Sequence, residues 1–266
     1  MPVPAAKDVL TLTLDATSDR PVFRQIADHL RGAIASGRLL QGGQLPSESQ
    51  LIEHYGTTRM TVRQALGVLK SEGLVVSEHG RGVFVRPRPP VRRLASDRFA
   101  RRHREAGKAA FLAEVEGAGA RPTVDRIEVS TEVPPDEIAE RLLLGRRAKV
   151  VVRRRRYLVD GHPVETATSY IPAALAAGTS ITQPNPGPGG IYARLEEMGH
   201  RLGRFTEQVS TRMPHPDEVT ALALAPGVPV FHLVRTAFTD DDVPVEVCDT
   251  VMSSAAFVLD YDLPAR

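Results

Sequence analysis

The chain has 266 residues, 42% of them hydrophobic, enough apolar material for one large core or two ordinary ones, which excludes disorder throughout. A single cysteine, Cys248, excludes an internal disulfide framework and a multi-cysteine zinc site, and the want of a long apolar run or a basic-then-apolar start predicts a cytoplasmic chain with no membrane span. The formal charge of +2 is unevenly spread: residues 21–94 carry 11 Lys and Arg against 5 Asp and Glu, residues 95–266 carry 21 against 24. A basic module joined to a mildly acidic one suits a nucleic-acid-binding part attached to a sensing or assembly part, although an uneven solvated surface gives the same count.

Residues 1–20 predict a mobile start followed by at most one short edge strand, from the alternation over residues 9–14. From Pro21 the period changes. Ile26, Leu30 and Ile34 recur every fourth residue between a proline suited to a first helical turn and Gly37, which predicts a helix of about four turns. Ser47 and Gln50 then have the spacing of a capping box opening a short helix that Gly56 ends. Thr58 can cap a third helix with Val62, Leu66 and Leu69 inward, Arg59 and Arg63 on another face, and Gly73 at its end. Two β-prone runs, residues 74–77 and 83–85, flank Glu78-His79-Gly80-Arg81-Gly82 and read as a hairpin with a basic, glycine-rich tip.

Residues 87–98 contain a Pro/Arg-rich stretch whose prolines remove donors and fix φ, so they are expected to form a stiff linker rather than a helix or central strand. Beyond it, β-prone runs at 126–131, 149–159, 164–170, 206–213, 229–238 and 245–252 alternate with helical stretches at 136–144, 191–198 and 217–223. The expected organisation is α+β: a mobile 1–20, a helix-helix-helix-hairpin module over 21–86, the linker, and a mainly antiparallel α+β domain over 99–266, with no internal repeat evident.

Two short helices joined by a tight turn suit insertion of the second into the DNA major groove, which puts Arg59, Thr61 and Arg63 against base edges. An arginine fork can grip guanine O6 and N7, hydroxyls can reach phosphates, and Gly80 and Gly82 let Arg81 approach a minor groove. Singly, an arginine pair is a solvated face and a glycine hairpin a turn; their ordered combination points to DNA.

The segments Leu45-Pro46-Ser47-Glu48, residues 58–66, Leu69, Glu72-Gly73 and residues 80–85 resemble the GntR family of transcriptional regulators over residues 21–86, a winged helix-turn-helix. The resemblance implies operator contacts at Ser47, Ser49, Thr58, Arg59, Thr61, Arg63, His79, Gly80, Arg81 and Gly82. Ser49 stands where the family usually has arginine, so a contact there is lost or made by a hydroxyl.

Residues 99–262 resemble the UTRA sensing domain of the HutC subfamily, similar in fold to chorismate lyase. The shared features are Phe111 with Gly119 and Pro122, four arginines at 153–156 before Asp160-Gly161-His162-Pro163, residues 169–172, Gly190-Ile191-Tyr192 and Val243-Pro244-Val245-Glu246. On a strand, Arg153, Arg155 and Tyr157 share one face while Arg154 and Arg156 share the other, so one set can line a pocket and the residues alone leave open which. The resemblance implies an effector site at Phe111, Arg153, Arg155, Tyr157, Glu165, Gly190, Tyr192 and Glu246, with Arg155 holding a sugar phosphate or another acidic metabolite. Gly190 and Tyr157 replace a serine and an arginine of those relatives, which favours a less anionic effector.

Residues 186–190 lack the Lys-Ser/Thr of a phosphate-binding loop, the eight histidines show no metal-like clustering, and Cys248 lies in an apolar alternation that predicts burial. No cofactor, metal or catalytic group is expected. The leading expectation is a homodimeric repressor on an inverted-repeat operator, controlled by a small molecule; the alternatives are a chorismate-lyase-like enzyme and a pure dimerisation module.

Overall fold

The computed structural model describes residues 10–11, 13–78, 80–86, 91–94, 102 and 109–262. The chain divides into two units, Met1–Arg88 with Ala225–Val228, and Pro89–Leu224 with Pro229–Arg266.

In the first unit, helix α1 (Val22–Ala35) buries Ile26, Ala27, Leu30 and Ala33, one stripe of its 3.6-residue period. Helices α2 (Glu48–Tyr55) and α3 (Arg59–Ser71) meet at Gly56, whose φ of 58° ends α2 in the left-handed region that favours glycine. Strands β1 (Val75–Glu78) and β2 (Gly82–Val85) pair antiparallel, Val75 opposite Val85. Ile26, Leu30, Leu51, Val62, Leu66 and Leu69 share one core with Val75 and Val85. Each fully buried aliphatic side chain there contributes about 1.5–3 kcal/mol. The short strand expected over residues 9–14 does not form at 10, 11, 13 or 14; Leu10 and Leu14 instead pack on this core, which fixes the chain without a partner strand.

The second unit contains strand β3 (Val91–Leu94), helix α4 (Ala110–Gly117), strand β4 (Pro122–Glu132), helix α5 (Asp136–Arg141), strands β5 (Val150–Val159) and β6 (His162–Pro172), and helices α6 (Ala173–Ala176) and α7 (Gly190–Glu197). Strand β7 (Leu202–Arg212), helix α8 (Pro216–Ala221) and strands β8 (Val230–Thr239), β9 (Pro244–Ser253) and β10 (Phe257–Asp260) follow. Six strands form an antiparallel sheet in the order β4-β5-β6-β9-β8-β7. Helix α5 covers one face through Ile138, Leu142, Val150, Val152, Val234 and Val247. Helices α6 and α7 cover the other through Val151, Ile171, Ala176, Ile191 and Leu195.

Two corrections to the sequence-based expectations arise here. An internal repeat is present: β4-α5-β5-β6 and β7-α8-β8-β9 have the same order, and the sheet is symmetric about the β6–β9 pair. Sequence identity survives in fragments, Val129-Ser130-Thr131 with Val209-Ser210-Thr211, Pro135-Asp136-Glu137 with Pro216-Asp217-Glu218, and Pro163-Val164-Glu165 with Pro244-Val245-Glu246, because alternating burial constrains polarity far more than identity. The expected linker is also partly ordered, since β3 pairs parallel with β10, Val91 opposite Phe257. An edge position tolerates the neighbouring prolines that a central strand would not.

Candidate functional site

In the first unit, the capping box formed by Ser47 and Gln50 orients the first turn of α2: Gln50 N–H donates to Ser47 Oγ at 3.3 Å and Ser47 N–H to Gln50 Oε1 at 2.9 Å. Ser47→Ala removes this cap and is expected to cost about 1 kcal/mol of stability, read as a lower midpoint in urea unfolding with m unchanged. Thr58 caps α3, accepting from Thr61 N–H at 3.3 Å, and the two hydroxyls lie 2.9 Å apart. Arg59 and Arg63 project from the first turns of α3 and are exposed, as is Ser49 on α2. Arg63 Nε donates to both Glu48 carboxylate oxygens at 3.1 Å, which leaves its terminal nitrogens available. At the hairpin, Arg81 pairs with Glu78 and lies 5.4 Å from the centre of the Phe84 ring. Gln44 Nε2 donates to Arg81 O at 2.8 Å, and Gly82 has a φ of +122°, a backbone conformation that side chains rarely adopt, which is why glycine stands there. Gln44 is a support for the wing that its sequence context does not single out. His79 lies outside the described residues.

In the second unit, a cavity of about 360 Å3 opens on the sheet face that carries Arg153, Arg155 and Tyr157. All eight residues expected to form an effector site, Phe111, Arg153, Arg155, Tyr157, Glu165, Gly190, Tyr192 and Glu246, line it. Arg154 and Arg156 lie on the opposite face in ion pairs with Glu132 (2.9 Å) and Asp125 (2.6 Å). The Arg154 guanidinium and the Ser130 hydroxyl hold the Glu132 carboxyl down at about 2.

The cationic groups of the cavity are not equivalent. Arg153 is 1% exposed and its terminal nitrogens donate to the carbonyls of Ile181, Gln183 and Pro184 (2.9 Å for the last), so it ties down the loop after α6. Burial, with the Arg155 charge beside it, pushes its pKa down to about 10. Arg155 donates to Ser169 Oγ, lies 5.8 Å from the Tyr157 ring centre, and has a buried Nε with no hydrogen-bond partner. Arg235, which the sequence did not single out, donates from Nε to Tyr192 Oη at 3.1 Å and lies 3.8 Å from Glu246 and 3.9 Å from Glu207. Tyr192 in turn donates to Glu246. Burial pushes its phenol well above the ordinary range, so it stays protonated as a donor. The signal for Arg235 was its repeat position: it lies on β8 as Arg155 does on β5, ahead of the second Pro-Val-Glu.

Glu165 is 2% exposed and accepts from Arg93 of β3, which also donates to Glu114 of α4 at 3.3 Å. Arg93 itself is 2% exposed, with its guanidinium 4.8 Å from the Phe257 ring centre. Phe111 packs against Tyr157, centroids 4.4 Å apart, and with Leu112, Val124, Ile127 and Ile191 makes most of the wall apolar. Cys248 is buried in this wall. Among the described residues no group of three or more metal-ligating side chains occurs, and no helix is long and apolar enough to cross a membrane.

Residues 23–85 match the bacterial regulatory proteins of the gntR family, and residues 117–257 match the UTRA domain. An uncharacterised HTH-type transcriptional regulator of Streptomyces coelicolor is 33% identical over 91% of this chain and 92% of its own length. The chain belongs to the GntR family. It is a DNA-binding transcriptional regulator whose UTRA domain is its ligand-binding part. The HTH-type transcriptional repressor NagR of Bacillus subtilis is 26% identical over 90% of this GntR-family chain and 93% of its own. A GntR-family transcriptional regulator of known crystal structure superposes with a TM-score of 0.65 at 28% identity, covering 93% of this chain and 99% of that one. PhnF of Mycobacterium smegmatis shares the fold, with a TM-score of 0.58 at 23% identity over 92% of this chain and all of its own.

Proposed function

We propose that this GntR-family chain is a cytoplasmic repressor that binds an inverted-repeat operator as a homodimer and is released when a small acidic metabolite occupies the UTRA cavity. The observation that carries the ligand class is Arg155: a guanidinium in a largely apolar cavity, bonded to one hydroxyl, with its Nε buried and without a partner. An unsatisfied buried donor on a charged group is costly, and a carboxylate or phosphate satisfies it with two parallel bonds. Arg59, Thr61 and Arg63 present the matching chemistry to base edges, and two-fold pairing of such helices matches an inverted repeat. Repression is supported by the likeness to NagR, a repressor.

Cavity turnover is not part of this proposal. Tyr192, Glu246 and Arg235 bond to one another, and Glu165 to Arg93, so the ionisable groups serve as fixed binding partners. Conversion of chorismate by the purified protein would overturn that choice.

The test of the effector class is isothermal titration with sugar phosphates, carboxylates and neutral sugars, on the wild type and on Arg155→Ala. An anionic compound is expected to bind the wild type, and the substitution to weaken it by about 1.5–3 kcal/mol, the worth of a charged hydrogen-bonding group. Equal binding by both proteins would remove Arg155 from the site.

A further inference from the structure

The internal repeat supplies a comparison within the cavity, because each half places an arginine and a glutamate at the same register. On β8 and β9, Ala237 faces Glu246 and Arg235 faces Cys248, which makes Glu246 the diagonal neighbour of Arg235. These two side chains pair, 3.8 Å apart. On β5 and β6, Tyr157 faces Glu165 and Arg155 faces Ala167, so Glu165 stands diagonal to Arg155 in the same way. Among the described residues no ion pair joins these two. Glu165 is turned instead to Arg93, which enters from β3 and is buried with it. In the second half Tyr192 of α7 bridges Arg235 and Glu246 and the two charges stay together, whereas the half that Arg93 enters carries the unpartnered Arg155 Nε.

We infer that Arg93 makes the anion site: by holding Glu165 it keeps that carboxylate off Arg155 and leaves the Arg155 guanidinium for the carboxylate or phosphate of a ligand. Arg93 is a positioning residue, acting on the ligand through Glu165 and Arg155. Its strand is the first element after the winged helix, and its docking on β10 is therefore linked to the ligand. If β3 leaves, Glu165 is released to Arg155 and competes with the ligand. Anion binding and strand docking must then strengthen each other by the same factor. This rests on the acidic-effector proposal and adds the residue that enables and transmits it.

The test uses the full-length protein with inorganic phosphate and benzoate as probes, titrated by calorimetry at fixed ionic strength. The wild type is expected to bind at least one of them. Arg93→Met should weaken that binding at least about tenfold, the factor for a self-paired Arg155–Glu165 state populated nine-tenths of the time. The double variant Arg93→Met with Glu165→Gln should bind nearly as the wild type does, since the competing charge is gone. In the wild type, saturating anion should also slow hydrogen exchange of the Val91–Leu94 amides.

Undiminished binding by Arg93→Met, or a loss that Glu165→Gln does not restore, overturns the inference and leaves the acidic-effector proposal standing. Silence of the wild type toward both anions overturns the two together. Should Arg93→Met fail to fold, the exchange measurement decides alone: slower exchange with anion supports the linkage, and unchanged exchange overturns it.

Discussion

Arg93→Met is expected to lower the stability of the C-terminal unit by about 3–5 kcal/mol, the usual result of removing one partner from a buried ion pair. Arg93, Glu165 and Glu114 are 3%, 2% and 6% exposed at the side chain, so the substitution removes a buried cation shared by two buried carboxylates. For a unit of this size the corresponding drop in melting temperature is on the order of 10 °C, measurable by calorimetry on the full chain. Arg92 sits one residue earlier on the same strand and pairs with Asp260, yet its side chain is 74% exposed. Arg92→Ala is therefore expected to cost under about 1 kcal/mol. Coincident melting of Arg93→Met and the wild type would show that the pair contributes nothing net.

The second large effect concerns DNA. Arg59→Ala and Arg63→Ala are each expected to cost about 1–3 kcal/mol of specific operator binding, the worth of a bidentate arginine contact to guanine. The measurement is fluorescence anisotropy on an operator fragment and on a scrambled duplex. Loss on the operator with little change on the scrambled duplex identifies base contacts; equal loss on both identifies phosphate contacts. Arg81→Ala at the wing is expected to flatten the dependence of log affinity on log salt, by about one unit if its contact is a phosphate. Unchanged operator affinity in both α3 variants would refute the docking. Arg63 has the further feature that Glu48 already holds its Nε, which orients the fork before DNA arrives and leaves the terminal nitrogens to make the contact.

The winged helix was legible because its signals are local. The spacing of Ile26, Leu30 and Ile34, the Ser47–Gln50 capping box, the Thr58 cap and the glycines at 56 and 73 each act within one or two helical turns, and the structure places the elements where those signals lie. In the second unit the alternation of the strands was legible for the same reason, and so was the division of the four arginines between two faces. Helices α4 and α6 and strand β10 were missed: α4 is short and buries only Phe111 and Val115, and α6 and β10 have four residues each.

By itself the sequence determined the order of the modules, the periodicity of nearly every element, the side chains offered to DNA, and the residues that could line an effector cavity. Only the tertiary structure decided which arginine face is the inner one, because Val150, Val151 and Val152 give both faces an equally apolar start and the choice depends on where α6 and α7 pack. It also decided which charges remain available. The terminal nitrogens of Arg153 are taken by carbonyls about thirty residues away in sequence, Arg235 by a tyrosine and a glutamate from other elements, and Glu165 by Arg93, 72 positions earlier. Partner choice among buried charges is set by which groups lose their water together, a property of distant segments brought into contact that no local pattern encodes.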